Sequence, residues 1–101
     1  MQTVTRKRIE ILADAPLVPR IVAALGKADI RGHTVLPALG GSGRTGSWSE
    51  DRLTGSEKRL VMAIASAEHA RAFVDALAPL LDSHRLLLTI GDVEVVRGDR
   101  F

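Results

Sequence analysis

Residues 60–74 read Leu-Val-Met-Ala-Ile-Ala-Ser-Ala-Glu-His-Ala-Arg-Ala-Phe-Val. Leu60 to Ala65 is six apolar residues in a row, short enough for a strand and apolar on both faces. Ser66 follows as a helix N-cap, and Glu68 lies near the positive end of the helix dipole. Ala70, Phe73, Val74, Leu77 and Leu81 then recur at helical spacing as a buried stripe, with Pro79 expected to distort or end the last turn. This strand-to-helix step is the second half of a pattern that also opens the chain.

Upstream, Arg8 to Ala13 reads as a strand with Ile9, Ile11 and Ala13 on one face. Asp14-Ala15-Pro16 turns into a helix whose apolar face is Leu17, Ile21, Ala24, Leu25 and Ala28, and Asp29-Ile30-Arg31-Gly32 ends it. His33 to Leu39 is a second strand, with Pro37 implying an edge or a bulge. Downstream, Leu86 to Ile90 is a strand, Gly91-Asp92 is expected to interrupt it, and Val93 to Val96 to form a short further one. The order is βαββαβ, the ferredoxin-like α+β pattern, with an antiparallel sheet and both helices on one face. The other face must be solvated or covered. Its positions, Val61, Ala63, Leu87 and Val95 or their alternates, are too apolar to stand bare, so the sheet is expected to pack against copies of itself, the alternative being cover by its own loop.

Composition bounds the rest. The chain has 101 residues, 46% hydrophobic and 26% charged, the balance of one globular domain spanning 1–101. Zero cysteine excludes disulfides, thiol catalysis and thiolate zinc sites, and zero tyrosine excludes chemistry on a phenol. Met-Gln-Thr-Val-Thr and Arg6-Lys7-Arg8 lead into no apolar run, so neither a secretory leader nor a membrane span is expected and the expected location is cytoplasmic. A net charge of +2 favours anionic ligands weakly and is too small for a nucleic-acid coat. An RNA-binding reading of the same strand order needs stacking aromatics on the sheet, whereas besides Trp48 the aromatics are Phe73, on a helix, and Phe101. His33, His69 and His84 lack metal-site spacing and read as core or surface residues, so no metal is expected.

Gly40 to Ser56 has no apolar period. Its 17 residues hold five glycines and four serines, with Arg44, Trp48, Glu50, Asp51 and Arg52. A structureless stretch of this length inside a small domain is commonly functional or disordered. Glycines let a backbone approach a ligand, and Arg44 beside them supplies a forked cation, so Gly40-Gly41-Ser42-Gly43-Arg44-Thr45-Gly46 reads equally as an anion cradle or as a flexible hairpin tip. A Walker loop is excluded, because its Gly-Lys-Ser/Thr ending is missing. Trp48 reads either as packed on its own domain or as a partner anchor. No base, nucleophile and metal-ligand set suggests an enzyme, so a phosphate hydrolase is a weak alternative, and an amino-acid-binding ACT-type domain is the nearest structural one.

Arg8-Ile9-Glu10-Ile11, Ile30-Arg31-Gly32-His33-Thr34-Val35, Gly43-Arg44 and Val95-Val96-Arg97 together resemble the PII signal-transduction family. Members of that family carry Lys-Ile-Glu on the first strand, Gly-Ile-Thr-Gly-Met-Thr-Val into the second, Gly-Phe-Gly-Arg-Gln into a long T-loop, and Val-Val-Arg on the last. The resemblance covers most of the chain and implies a homotrimer with adenine nucleotide in each inter-subunit cleft. It also implies a mobile T-loop, here about 40–56, that reports the ligand to a partner. Thr45 replaces the family glutamine that helps bind magnesium and 2-oxoglutarate, and the phosphate-binding B-loop is reduced to Asp82-Ser83-His84-Arg85. These departures make the chain look like the carboxysome-associated PII-like members, which bind ADP or AMP with bicarbonate and are associated with bicarbonate transport.

By position, the resemblance implies a nucleotide site of Thr34, Gly40, Gly43, Lys58, Ile64, Arg97 and, with the register off by one, Arg100. Thr34 faces the adenosine, Ile64 offers backbone to adenine, the glycines lie near phosphates and Arg97 pairs with phosphate. Gly41, Ser42 and Arg44 are the implied bicarbonate receptor, a guanidinium with neighbouring amides. Ordering 17 residues costs roughly 17–34 kcal/mol, against about 8 kcal/mol from a micromolar ligand. Ligand is therefore expected to order only the loop base, with the tip near Trp48 needing a partner.

Overall fold

A computed structural model of the chain describes residues 1–44, 46–49 and 57–96. The elements are β1 (Thr3–Asp14), a 3₁₀ turn (Ala15–Leu17), α1 (Val18–Lys27), β2 (Thr34–Ala38), β3 (Gly40–Gly43), β4 (Gly46–Ser49), β5 (Lys58–Ala65), α2 (Ala67–Ser83) and β6 (Leu87–Val96). The main sheet has the order β2-β5-β1-β6 and is antiparallel throughout. Each βαβ unit therefore skips over a strand of the other, which is the ferredoxin-like α+β fold expected from the sequence.

One face of the sheet carries the core. Ile9, Ile11 and Ala13 of β1 and Val61, Ala63 and Ala65 of β5 are buried against Ile21 and Leu25 of α1 and Phe73 and Leu77 of α2. Val61 and Ala63 thus point inward. The open face is carried by their alternates, Leu60, Met62 and Ile64. The cross-strand register places Leu36, Leu60, Leu12 and Leu87 in one row across all four strands of that face. Leu36 and Leu87, at its ends, are 43% and 60% exposed. A row of four leucines is the apolar open face that the sequence calls for.

Several boundaries differ from the sequence reading. β1 begins at Thr3, because its polar start pairs with β6: the Thr3 hydroxyl donates to Glu94 at 3.1 Å, and Lys7 forms an ion pair with Asp92. The same pairing carries β6 straight through Gly91-Asp92, so the expected interruption and short further strand are one continuous strand. Pro79 does not end α2, which runs to Ser83. The amide it lacks would have met the carbonyl of exposed Asp75, which water can satisfy. The buried stripe accordingly stays in helical step to Leu80, leaving Leu81 and Val74 only half-buried. His33 lies just before β2, which starts at Thr34. The Gly40–Ser56 stretch is not structureless throughout, since β3 and β4 form a hairpin within it.

Candidate functional site

The end of α1 aims the chain into the first half of the site. The Ile30 amide donates to the Leu25 carbonyl at 2.9 Å and the Asp29 amide to Gly26 at 3.1 Å. Asp29 sits in the left-handed region at φ 60°. This is a Schellman ending with aspartate where glycine is usual, and Ile30 and Leu25 are both buried beneath it. The chain then runs through Gly32 and His33 into Thr34 at the start of β2. Opposite, β5 ends at Ala65 and Ser66 caps α2, its hydroxyl accepting from the His69 amide at 3.2 Å.

These segments enclose a cavity of about 490 Å³. Its floor is Met62, Ala63, Ile64 and Ala65, and its rim is Asp29, Arg31, His33, Thr34, Ser66 and His69. An apolar floor with a polar rim suits a flat ring carrying polar edges. Thr34 and Ile64, expected at the nucleotide, are brought together here. The sequence reading did not assign Arg31, His69 and Met62 to the site. A signal for His69 was available, since it lies one helical turn past the Ser66 cap and so at the same end as Ile64. Arg31 is held only loosely by Asp29, at 3.6 Å with both side chains well exposed.

The second half lies at the other end of β5. At about 3.3 Å per residue, Lys58 is roughly 20 Å from Ile64 along the strand. The hairpin pairs Gly40 with Ser49, Gly41 with Trp48, Ser42 with Ser47 and Gly43 with Gly46, and Arg44 stands in its turn. Gly46 adopts φ 110°, which only glycine takes without strain. Gly41 lies flat under the indole: a Cβ there would come within 2.7 Å of Trp48 Cζ2. Lys58 Nζ lies 5.5 Å from the centre of the Trp48 ring and 2.9 Å from Asp14 Oδ1. Trp48 is therefore packed on its own chain, half-buried.

These contacts are individually weak. An exposed ion pair contributes about 0–1 kcal/mol and an exposed cation–π contact about 0.5–1 kcal/mol. One hydrogen bond to a charged group is worth roughly 1.5–3 kcal/mol.

Gly40, Gly41, Ser42, Gly43 and Arg44 are all exposed on the hairpin, on the same side of the fold as Lys58 and away from the cavity. Arg97 and Arg100 lie outside the described residues, as do Thr45 and residues 50–56. Asp82 and Ser83 of the reduced B-loop are the end of α2. The Ser83 hydroxyl is 3.3 Å from the Leu80 carbonyl and 2.7 Å from His84 Nδ1, and only residues 84–86 connect α2 to β6. Among the described residues, no group of three His, Asp or Glu is placed to hold a metal ion, and no helix is long and apolar enough to cross a membrane.

Residues 6–100 match the family model for nitrogen regulatory protein P-II. The chain belongs to the P-II family. A solved structure of similar shape is CPII, a nitrogen regulatory PII-like protein from Thiomonas intermedia K12 bound to ADP, AMP and bicarbonate. It superposes with a TM-score of 0.87 at 19% identity, over 99% of this chain and 96% of that one. A PII-like signalling protein from Thermus thermophilus superposes at 0.82 and 24% identity, over 100% and 99%. The GlnK–ATP complex of B. subtilis is more distant, at 0.64 and 11% identity over 92% and 85%. At these identities the likeness is one of fold. No curated protein matches the sequence.

Proposed function

We propose that this P-II chain is a non-enzymatic signalling protein that binds an adenine nucleotide, ADP or AMP, with bicarbonate as co-ligand. The observation that carries the reading is the convergence of Thr34 and Ile64 on one apolar-floored cavity in a chain of this family. The purine lies over Ile64 and Met62 with Thr34 at its edge, and Arg31, His33 and His69 stand at the rim. Within one chain Gly40, Gly43 and Lys58 lie too far from Ile64 for the same nucleotide to touch both, so in the trimer a neighbouring subunit brings them to the phosphates, with Arg97 and Arg100 as further partners. Gly41, Ser42 and Arg44 receive bicarbonate.

The cavity is bounded by β2, an edge strand, so a neighbouring subunit can close it. The row Leu36, Leu60, Leu12 and Leu87 supports a homotrimer built through the open face of the sheet. That assembly makes the nucleotide site an inter-subunit cleft. The 40–56 segment, with Trp48, carries the liganded state to a partner such as a bicarbonate transporter, in the cytoplasm. CPII, crystallised with ADP, AMP and bicarbonate, supports this choice of ligands.

Titration calorimetry of ADP, with and without bicarbonate, tests the reading. Saturable heat with ADP, tightened by bicarbonate, is expected. Absence of heat with every adenine nucleotide would remove it. Light scattering on the same sample should report three chains, and a monomer would leave no cleft.

A further inference from the structure

Two histidines reach the cavity rim from different elements. His33 lies in the connection from α1 to β2 and is exposed, and His69 lies in the first turn of α2 and is half-buried. The Ser66 cap holds the His69 backbone there, its hydroxyl accepting from the amide at 3.2 Å. Neither imidazole has a hydrogen-bond or ion-pair partner among the described residues. The third histidine, His84, lies beyond the far end of α2, 2.7 Å from the Ser83 hydroxyl.

The fixed charges of the cavity lining cancel. Asp29 and Arg31 bring one of each sign, 3.6 Å apart, and β5 brings none. On β1, across from Ala65 and Ile64, Lys7 is paired with Asp92 and Arg8 with Glu10 at 2.7 Å. On α2, exposed Glu68 borders the outer surface of the helix together with Arg71. The charge that the cavity shows an entering anion is therefore set by its two imidazoles. Imidazole ordinarily changes charge between pH 5 and 8. Neutral, it donates from one nitrogen and accepts at the other; charged, it donates from both. Ring nitrogens of a purine accept hydrogen bonds and its phosphates are anions, so the charged form suits both ends of a nucleotide.

We propose that His33 and His69 make nucleotide binding proton-linked. Protonation of the imidazoles tightens the cavity's hold on an anionic nucleotide, so affinity rises as pH falls. Coupling is reciprocal, so binding takes up protons. The link rests on the nucleotide reading of the cavity made above, and it gives that site a second input beside the nucleotide itself.

Full-length wild type and the double variant His33→Gln/His69→Gln are titrated with ADP by calorimetry at pH 6, 7 and 8 in buffer free of bicarbonate. Glutamine keeps a donor and an acceptor and takes up no proton. The terminal phosphate of ADP itself titrates at about pH 6, and the double variant, given the same ligand, carries that share alone. The ratio of wild-type to variant affinity should rise roughly five- to tenfold from pH 8 to pH 6. Each single variant should keep part of that rise, which keeps the test readable where the double variant binds too weakly to measure. Repeating the pH 7 titration in two buffers of unlike ionisation enthalpy should show more proton uptake in wild type than in the variants.

A ratio constant with pH, or equal proton uptake, would overturn the proton link while the heat of ADP binding leaves the nucleotide reading in place. A pH dependence kept in the double variant and lost in His84→Gln would overturn it as well. Absence of heat in wild type at all three pH values would overturn the nucleotide reading instead.

Discussion

The two ends of β5 are built differently. At the Ile64 end, the cavity floor is the rim of the hydrophobic core: Ala63 and Ala65 are buried with Phe73 and Ile9. At the Lys58 end, the contact among the described residues that ties the hairpin to the main sheet is the Lys58 ammonium over the Trp48 ring, at the surface. The first end cannot move without disturbing the fold, and the second can move at little cost. Under the proposed function, the fixed end holds the ring and the loosely held end, at the far side of the same strand, changes the surface.

That contrast can be broken by mutation. The largest effect should come from Phe73→Ala, which removes the main buried side chain of α2 behind the cavity floor. A loss of about 3–5 kcal/mol in urea unfolding is expected, and a loss below about 1 kcal/mol would mean the core does not support that end. Ser66→Ala removes the α2 cap at the cavity rim and should cost about 1 kcal/mol by the same measurement.

Asp29→Gly should act in the opposite direction, raising stability by up to about 1 kcal/mol, since glycine takes φ 60° without strain. A clear loss would show that the Asp29 side chain has a role in the cavity rim that outweighs its backbone cost. The smallest global effect belongs to the other end. Gly41→Val places a Cβ inside contact distance of Trp48, so the indole must leave. Trp48 emission should shift to the red while unfolding stability stays within about 0.5 kcal/mol. A large loss of stability there would show that the hairpin is part of the cooperative core.

The same contrast explains what could be read from the sequence. Ile9, Ile11 and Ala13 at period two, Ile21 with Leu25, and Ser66 ahead of Phe73 and Leu77 all lie where burial decides the structure, and those assignments hold. Thr34 and Ile64 are found together because both sit on strands fixed by that core. The hairpin escaped periodicity because its strands are Gly-Gly-Ser-Gly and Gly-Ser-Trp-Ser, which have no apolar alternation to detect. Its pairing comes from local turn geometry and from one tryptophan lying on one glycine. The continuity of β6 through Gly91-Asp92 was hidden for a related reason. The aspartate reads as a break until its partner Lys7 is seen across the strand. His69 and Arg31 reach the cavity by tertiary placement, which neither residue signals alone.

Hydrogen–deuterium exchange of the whole chain with and without saturating ADP tests the central claim most directly. Protection should concentrate on residues 30–34 and 62–66, the two walls of the cavity. Saturated nucleotide that leaves both walls as exchangeable as in the free protein would contradict the placement of the purine over Ile64.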